Sequence, residues 1–136
     1  MTKVLNLVGL DVGEKRIGVA ISSNNVRIAS PLETIEVDGN EIKSIEDLVK
    51  KEDISIIVIG YPRNQSGEAT KQTQYIKDFA KKLNYLSVSI VFQDESMTSV
   101  LAEERLKNQN KPYEKKDIDA MAATIILQDY IEANYG

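Results

Sequence analysis

The stretch GLDVGEKRIGVA, residues 9–20, predicts a strand, a tight turn and a second strand. Side chains alternate along a strand, so Leu10 and its apolar neighbours face one way, and Asp11 faces the other way between Gly9 and Gly13. A carboxylate on a packed face is costly unless it is paired or bound to a metal. The flanking glycines leave room for such a partner to approach Asp11.

The turn in this stretch decides what lies opposite that carboxylate. Gly13-Glu14 suits a two-residue hairpin turn with glycine at its first position. That turn would place Asp11 across from Arg16 on the same face of the sheet. Taken alone, the stretch leaves two interpretations open: a structural Asp11–Arg16 ion pair, or a functional carboxylate.

Composition narrows the chemistry that is available. A length of 136 residues fits a single domain, residues 1–136, with a substantial core. The chain has no cysteine and no histidine, which excludes disulfides, thiolate zinc sites, a cysteine nucleophile and an imidazole base. A metal site would therefore need oxygen ligands, and these favour Mg²⁺ or Mn²⁺.

The charge balance bears on partners and location. A net charge of −4 and an isoelectric point of about 4.9 argue against a broad, sequence-blind coat on nucleic acid. A local basic rim around an acidic site is compatible with that balance. The sequence contains no signal peptide and no long apolar run, so we expect a cytoplasmic protein with no membrane partner.

Hydrophobic periodicity predicts an α/β fold with a central mixed sheet. Strands are predicted over residues 4–12, 15–22, 26–37, 54–60 and 88–92. Helices are predicted over residues 40–51, 69–83, 98–107 and 117–133. The first three strands read as antiparallel, and the dense β-branched run at 54–60 reads as a buried parallel strand. Residues 107–116 (KNQNKPYEKK) read as a polar loop with a local charge of +3.

Two further acidic positions stand out by their context. Asp94-Glu95 follows the last predicted strand, where sites commonly lie in α/β sheets. Asp119 lies near the start of the final helix and shares a face with Ala122 and Ala123, which would let that helix approach the sheet closely. The alternatives are a solvated strand end, and a first-turn carboxylate stabilised by the helix dipole.

If Asp11, one of Asp94 and Glu95, and Asp119 converge, their charges repel and divalent cations would be needed to neutralise them. Two such cations can activate water and stabilise both oxygens of a phosphodiester displacement. This chemistry needs neither histidine nor cysteine, in agreement with the composition.

Four ordered motifs resemble the YqgF (RuvX) family of Holliday junction resolvase-like proteins. They are the opening stretch at 9–20, Pro31-Leu32-x-Thr34-Ile35, Gly60-x-Pro62-x-Asn64-x-x-Gly67, and Asp119-Ala120-x-Ala122-Ala123 with Ile126-Leu127-Gln128. The resemblance covers nearly the whole chain. It implies an RNase H-like fold whose five-stranded sheet, with three antiparallel strands and then two parallel ones, carries helices on both faces.

The resemblance also implies a Mg²⁺- or Mn²⁺-dependent endonuclease. The implied role is maturation of the 5′ end of the 16S rRNA precursor, on structured RNA or ribosomal precursor particles, or alternatively resolution of Holliday junctions in branched DNA. The catalytic and metal-binding residues carried over are Asp11, Glu95 and Asp119, with Glu95 preferred because the family motif Asp-Glu-Arg uses the glutamate. Ser96 replaces the arginine of that motif here.

A basic rim is expected to contact the nucleic-acid backbone. Its candidate residues are Lys15, Arg16, Arg63, Asn64, Lys111, Lys115 and Lys116. Arg63 or Arg16 is the candidate to supply the phosphate contact that Ser96 cannot make.

Two other function classes stay open at this point. The Asp-x-Gly hairpin also resembles the phosphate-binding turn of actin-like ATPases and sugar kinases, although those proteins clasp ATP between two such domains. A non-catalytic RNA-binding ribosome-assembly factor that keeps the fold is the other alternative. Monomeric and homodimeric states are both compatible with the sequence.

Overall fold

The computed structural model describes residues 4–62, 70–95 and 98–136. The strands are β1 (Asn6–Val12), β2 (Arg16–Ser23), β3 (Ser30–Glu36), β4 (Ile54–Pro62) and β5 (Ser89–Glu95). The helices are α1 (Glu41–Lys51), α2 (Lys71–Lys82), α3 (Thr98–Asn108) and α4 (Lys115–Tyr135).

The five strands form one mixed sheet in the order β3-β2-β1-β4-β5. β1 pairs antiparallel with β2, and β2 pairs antiparallel with β3. β4 runs parallel to both β1 and β5. The predicted sheet of three antiparallel and two parallel strands is confirmed, and the carboxyl ends of β1, β4 and β5 lie at one edge.

Helices cover both faces of the sheet, as the sequence predicts. The β1 face that carries Leu10 packs against the apolar sides of α1 and α2, including Ile45 and Phe79. The opposite face, which carries Leu7, packs against α4 through Ala123 and its neighbours. α3 packs on the outer side of α4. Asp11 alternates with Leu10 along β1 and therefore lies on the α4 face.

The prediction of a β1–β2 turn at Gly13-Glu14 is wrong by one residue, because the turn lies one position later in the chain. The Gly13 amide donates to the carbonyl oxygen of Arg16 at 3.0 Å, so the turn residues are Glu14 and Lys15. Asp11 pairs with Gly18, not with Arg16. This register brings Val12 opposite Ile17 in the core and leaves the two charged turn residues in solvent.

Several element bounds also differ from the predictions. β3 begins at Ser30, not at residue 26, because a turn that includes Arg27 at φ 63° precedes it. β5 continues to Glu95 because it stays paired with β4 as far as Pro62. α4 begins two residues earlier than expected, since Glu114 and Asp117 form a capping box at its start. Among the helices of the described ranges, none is long and apolar enough to span a bilayer.

Candidate active site

Asp11 lies near the carboxyl end of β1, between two glycines on the neighbouring strands. On one side it pairs with Gly18 of β2. On the other side, Gly60 of β4 follows Ile59, which is the register partner of Leu10. The absence of side chains at Gly18 and Gly60 leaves space over the α4 face on both sides of the Asp11 carboxylate.

The space over Gly18 is filled by the start of α4. A Cβ atom built on Gly18 would overlap the carbonyl oxygen of Asp119, so the helix backbone lies directly on β2 at this point. About two turns further along the helix, a Cβ atom on Gly9 would lie 2.7 Å from the Cβ atom of Leu127. The expected close approach of α4 to the sheet is confirmed, and it depends on glycines in the strands as well as on alanines in the helix.

The space over Gly60 is filled by the Glu95 carboxylate. Val91 of β5 packs in the α4-side cluster, and Glu95 shares its face because it follows four residues later. A Cβ atom on Gly60 would lie 2.7 Å from Glu95 Oε2. Asp94 shares the opposite face with Ile90 and is exposed. Of this acidic pair, it is therefore Glu95 that lies on the side of Asp11.

Glu95 Oε2 is buried and has no hydrogen-bond partner among the described residues. Burial raises the pKa of Glu95 above its usual value. A buried acceptor without a donor is uncommon in folded proteins, because it forfeits its interaction with water. This oxygen therefore marks a place that a cation or a donor would stabilise.

The three carboxylates interact electrostatically around Asp11. Burial, and after it the negative charges of Glu95 and Asp119, together raise the pKa of Asp11 from 3.8 to about 7. At neutral pH the group is therefore poised between its two protonation states. A divalent cation would relieve both the burial and the repulsion.

Asp119 takes Arg16 as its direct partner. Arg16 Nε donates to Asp119 Oδ2 at 2.7 Å, and both side chains are partly buried. The hydrogen bond to Asp119 and the charge of that residue raise the pKa of Arg16. The interpretation of Asp11 and Arg16 as a structural ion pair is therefore wrong, since Arg16 joins β2 to α4.

Within residues 4–62, 70–95 and 98–136, no three acidic side chains form a ready-made cage for a metal ion. Of the three candidate carboxylates, Asp119 already accepts a hydrogen bond from Arg16. Mg²⁺ is commonly held by one or two carboxylates together with substrate phosphates, not by an all-protein cage. Glu95 Oε2, which has no partner in the described ranges, and Asp11 with its raised pKa fit that kind of site, with Asp119 adjacent.

The predicted backbone-binding residues do not lie in one place. Lys15 and Arg16 line a groove of about 520 Å³ together with Asp119. Lys111 lines a different cleft, of about 330 Å³, between α3, α4 and β3. Lys115 and Lys116 begin α4, and Lys116 pairs with Glu114 at 3.4 Å. Arg63, Asn64 and Ser96 lie outside the described residues.

Sequence reasoning missed the second wall of the groove beside Asp119. It is formed by Lys71, Gln72 and Tyr75 from the first turns of α2. Lys71 and Tyr75 are four residues apart and so lie on one side of the helix. That spacing is the only sequence signal, and it does not reveal that this side faces the β1–β2 turn.

The chain is similar to known proteins over nearly its whole length. A profile of the RuvX family, described as Holliday junction resolvase, matches residues 5–133. A protein of Sulfurihydrogenibium sp. (strain YO3AOP1) named "Putative pre-16S rRNA nuclease" is 43% identical over 129 residues, covering 93% of this chain and 89% of that protein. A Chloroflexus aurantiacus protein of the same name is 45% identical over 132 residues, covering 93% and 86%.

Among solved structures, RuvC of T. thermophilus in complex with a Holliday junction substrate matches with a TM-score of 0.58. It covers 97% of this chain and 96% of that chain at 13% identity. At that identity the likeness concerns the fold alone, and it confirms the expected RNase H-like architecture. The profile match over nearly the whole chain and the extensive identity to its relatives show that this chain belongs to the RuvX family.

Proposed function

We propose that this member of a nuclease family is a divalent-metal-dependent endonuclease that hydrolyses phosphodiester bonds in structured nucleic acid in the cytoplasm. The observation that carries the proposal is the buried Glu95 Oε2, which has no hydrogen-bond partner among the described residues and lies on the same face as Asp11. Burial and the neighbouring carboxylates raise the pKa of Asp11 to about 7. Such a pair of carboxylates is stabilised by Mg²⁺ or Mn²⁺.

In this proposal Asp11 and Glu95 hold the cation, and Asp119 completes the set from α4. A bound divalent cation would supply Lewis-acid polarisation of the phosphate and a more acidic water. Because Asp11 carries a proton in part at neutral pH, cation binding competes with that proton and becomes tighter as the pH rises. Gly18 and Gly60 keep the space beside Asp11 open for this set of ligands.

Arg16 has a separate role in the proposal. Its Nε atom is engaged by Asp119, which leaves the remaining guanidinium donors for a substrate phosphate in the groove. Arg16 would thereby supply the contact that the arginine of the Asp-Glu-Arg motif makes where this chain has Ser96. A partly buried ion pair also fixes the guanidinium, so less side-chain entropy is lost when phosphate binds.

The preferred substrate we propose is the 5′ region of the 16S rRNA precursor, free or in a ribosomal precursor particle. The names of the Sulfurihydrogenibium and Chloroflexus relatives support this choice. A Holliday junction is the second candidate, supported by the description of the family and by the fold likeness to RuvC.

The test compares cleavage of both substrates by the purified protein with Mn²⁺. Asp11→Asn and Glu95→Gln are expected to lose activity by at least about 100-fold, because each removes a carboxylate that holds the cation. That factor corresponds to about 2.7 kcal/mol of transition-state stabilisation. Asp94→Asn is the matched control, because Asp94 adjoins Glu95 but is exposed on the opposite face. It is expected to keep wild-type activity.

Three results would count against the proposal. Equal losses in Asp94→Asn and Glu95→Gln would remove the distinction between the two faces of β5. Cleavage that persists in Asp11→Asn would show that the carboxylates do not carry the reaction. Metal-independent binding of RNA without cleavage would favour the assembly-factor alternative.

A further inference from the structure

We propose that the groove between the β1–β2 turn and the start of α2 holds the sugar-phosphate backbone of the strand next to the scissile phosphate, with Lys71 as a substrate-binding residue. The inference rests on the proposed nuclease function and assigns the path of the substrate beside its active site. We refer to this space as the α2 groove, lined by Val12, Gly13, Glu14, Lys15, Arg16, Lys71, Gln72, Tyr75 and Asp119.

The α2 groove is continuous with the catalytic carboxylates. Asp119 forms part of its lining, and its charge acts on Asp11. From Asp119 the groove extends along Arg16 and Lys15 of the β1–β2 turn to the first turns of α2. Its volume of about 520 Å³ lies within the range of about 300–1,000 Å³ that is typical of ligand sites.

The charge of the α2 groove is opposite to that of the whole chain. Three cations line it, against the carboxylates of Glu14 and Asp119. Arg16 and Asp119 pair with each other. In the described ranges, neither Lys15 nor Lys71 takes part in an ion pair. Two unpaired ammonium groups facing one groove, in a protein of net charge −4, indicate an anionic ligand.

The remaining polar groups of the α2 groove suit a phosphate backbone. Tyr75 is partly buried and packs against the core between the sheet and the helices α1 and α2. Gln72 and Tyr75, which also line the groove, are residues with neutral hydrogen-bonding groups. Lysine, glutamine and tyrosine side chains are common partners of phosphate and sugar, and these contacts position a strand without reading its sequence.

Lys71 offers the sharpest test because it lies on α2, outside the carboxylate site. Lys71→Ala is compared with Lys82→Ala, which removes an exposed lysine at the other end of the same helix, about 16 Å away along its axis. Binding of a fluorescent substrate RNA and a fluorescent four-way DNA junction is measured by anisotropy in EDTA over a range of salt concentrations.

Lys71→Ala is expected to weaken binding about 5- to 10-fold and to reduce the slope of log K against log salt by about 0.7–0.9, the loss of one phosphate contact. Lys71→Arg is expected to retain the slope because it keeps the charge. With Mn²⁺, Lys71→Ala should raise KM and leave kcat within about 2-fold of wild type, because the residue binds substrate without touching the reacting atoms. Lys82→Ala should match wild type in every measurement.

Different results would contradict the α2 groove proposal and the nuclease proposal. If the wild type cleaves substrate while Lys71→Ala and Lys82→Ala bind alike, the α2 groove is not the substrate path and the nuclease proposal stands. If the wild type neither binds nor cleaves either nucleic acid, both proposals are overturned.

Discussion

Asp11 is destabilising in its ionised form when no cation is bound, and this has a measurable consequence. Its pKa in the folded protein is about 7, against 3.8 as its ordinary value. Between these two values the folded state binds more protons than the unfolded state, so stability falls as the pH rises from about 4 to about 7. Above pH 7 the full penalty is present.

Asp11→Asn is therefore expected to be more stable than the wild type at pH 8 in EDTA. The gain should be about 1–3 kcal/mol, which is the full shift discounted because part of the side chain remains accessible to water. Urea unfolding at pH 4 and pH 8 measures it, and the difference should nearly vanish at pH 4. An Asp11→Asn variant less stable than the wild type at pH 8 would contradict this reading of the site.

The positions of several individual site residues could be predicted from the sequence. Strand alternation places Asp11 on the face beneath α4, and the family motif favours Glu95 over Asp94; the structure puts Glu95 on that face. The partner of Arg16 could not be predicted, because a turn one residue further along moves Asp11 opposite Gly18. A contact between Arg16 and Asp119, which are 103 residues apart, depends on the packing of the helix on the sheet.

Two strand glycines determine how closely α4 and the Glu95 side chain approach the sheet, and their surroundings differ. A Cβ atom on Gly18 would overlap the backbone of Asp119, which cannot move unless α4 moves. A Cβ atom on Gly60 would meet the ends of two side chains, Ile126 Cδ1 at 2.5 Å and Glu95 Oε2 at 2.7 Å. The first contact is rigid and the second can rearrange.

Gly18→Ala is accordingly expected to lower the free energy of unfolding by about 2–3 kcal/mol, and Gly60→Ala by about 1 kcal/mol or less. Gly60→Ala should nevertheless reduce the rise in Tm that Mn²⁺ produces, because the added methyl group displaces the Glu95 carboxylate. Thermal unfolding with and without Mn²⁺ measures both effects. An unchanged Mn²⁺ response in Gly60→Ala would show that Glu95 does not bind the cation over Gly60.

Element bounds were predictable where apolar residues mark them and less so elsewhere. β4 and the helices α1 and α2 follow from runs of buried aliphatic residues. The last residues of β5 carry polar side chains, and they stay in the sheet because β4 extends beside them to Pro62. The start of α4 depends on the capping box of Glu114 and Asp117, a local signal that the hydrophobic pattern does not contain.

For the molecule as a whole, the acidic composition and the proposed anionic substrate are compatible because charge is distributed unevenly. The acidic site lies at the edge where β1, β4 and β5 end. The α2 groove beside it carries two lysines that form no ion pair within the described part of the chain. The fold and the family could be predicted from the motifs, since these span nearly the whole chain. The α2 groove could not, because its two walls come from segments more than 50 residues apart.

Crystals grown with Mn²⁺ and the substrate, followed by an anomalous difference map, test the metal-dependent carboxylate site most directly. We predict at least one Mn²⁺ peak about 2 Å from carboxylate oxygens of both Asp11 and Glu95, with Asp119 beside it. Crystals of Asp11→Asn grown under the same conditions should lack that peak, and those of Asp94→Asn should keep it. The absence of Mn²⁺ between Asp11 and Glu95, at a concentration that supports cleavage, would contradict the proposed site.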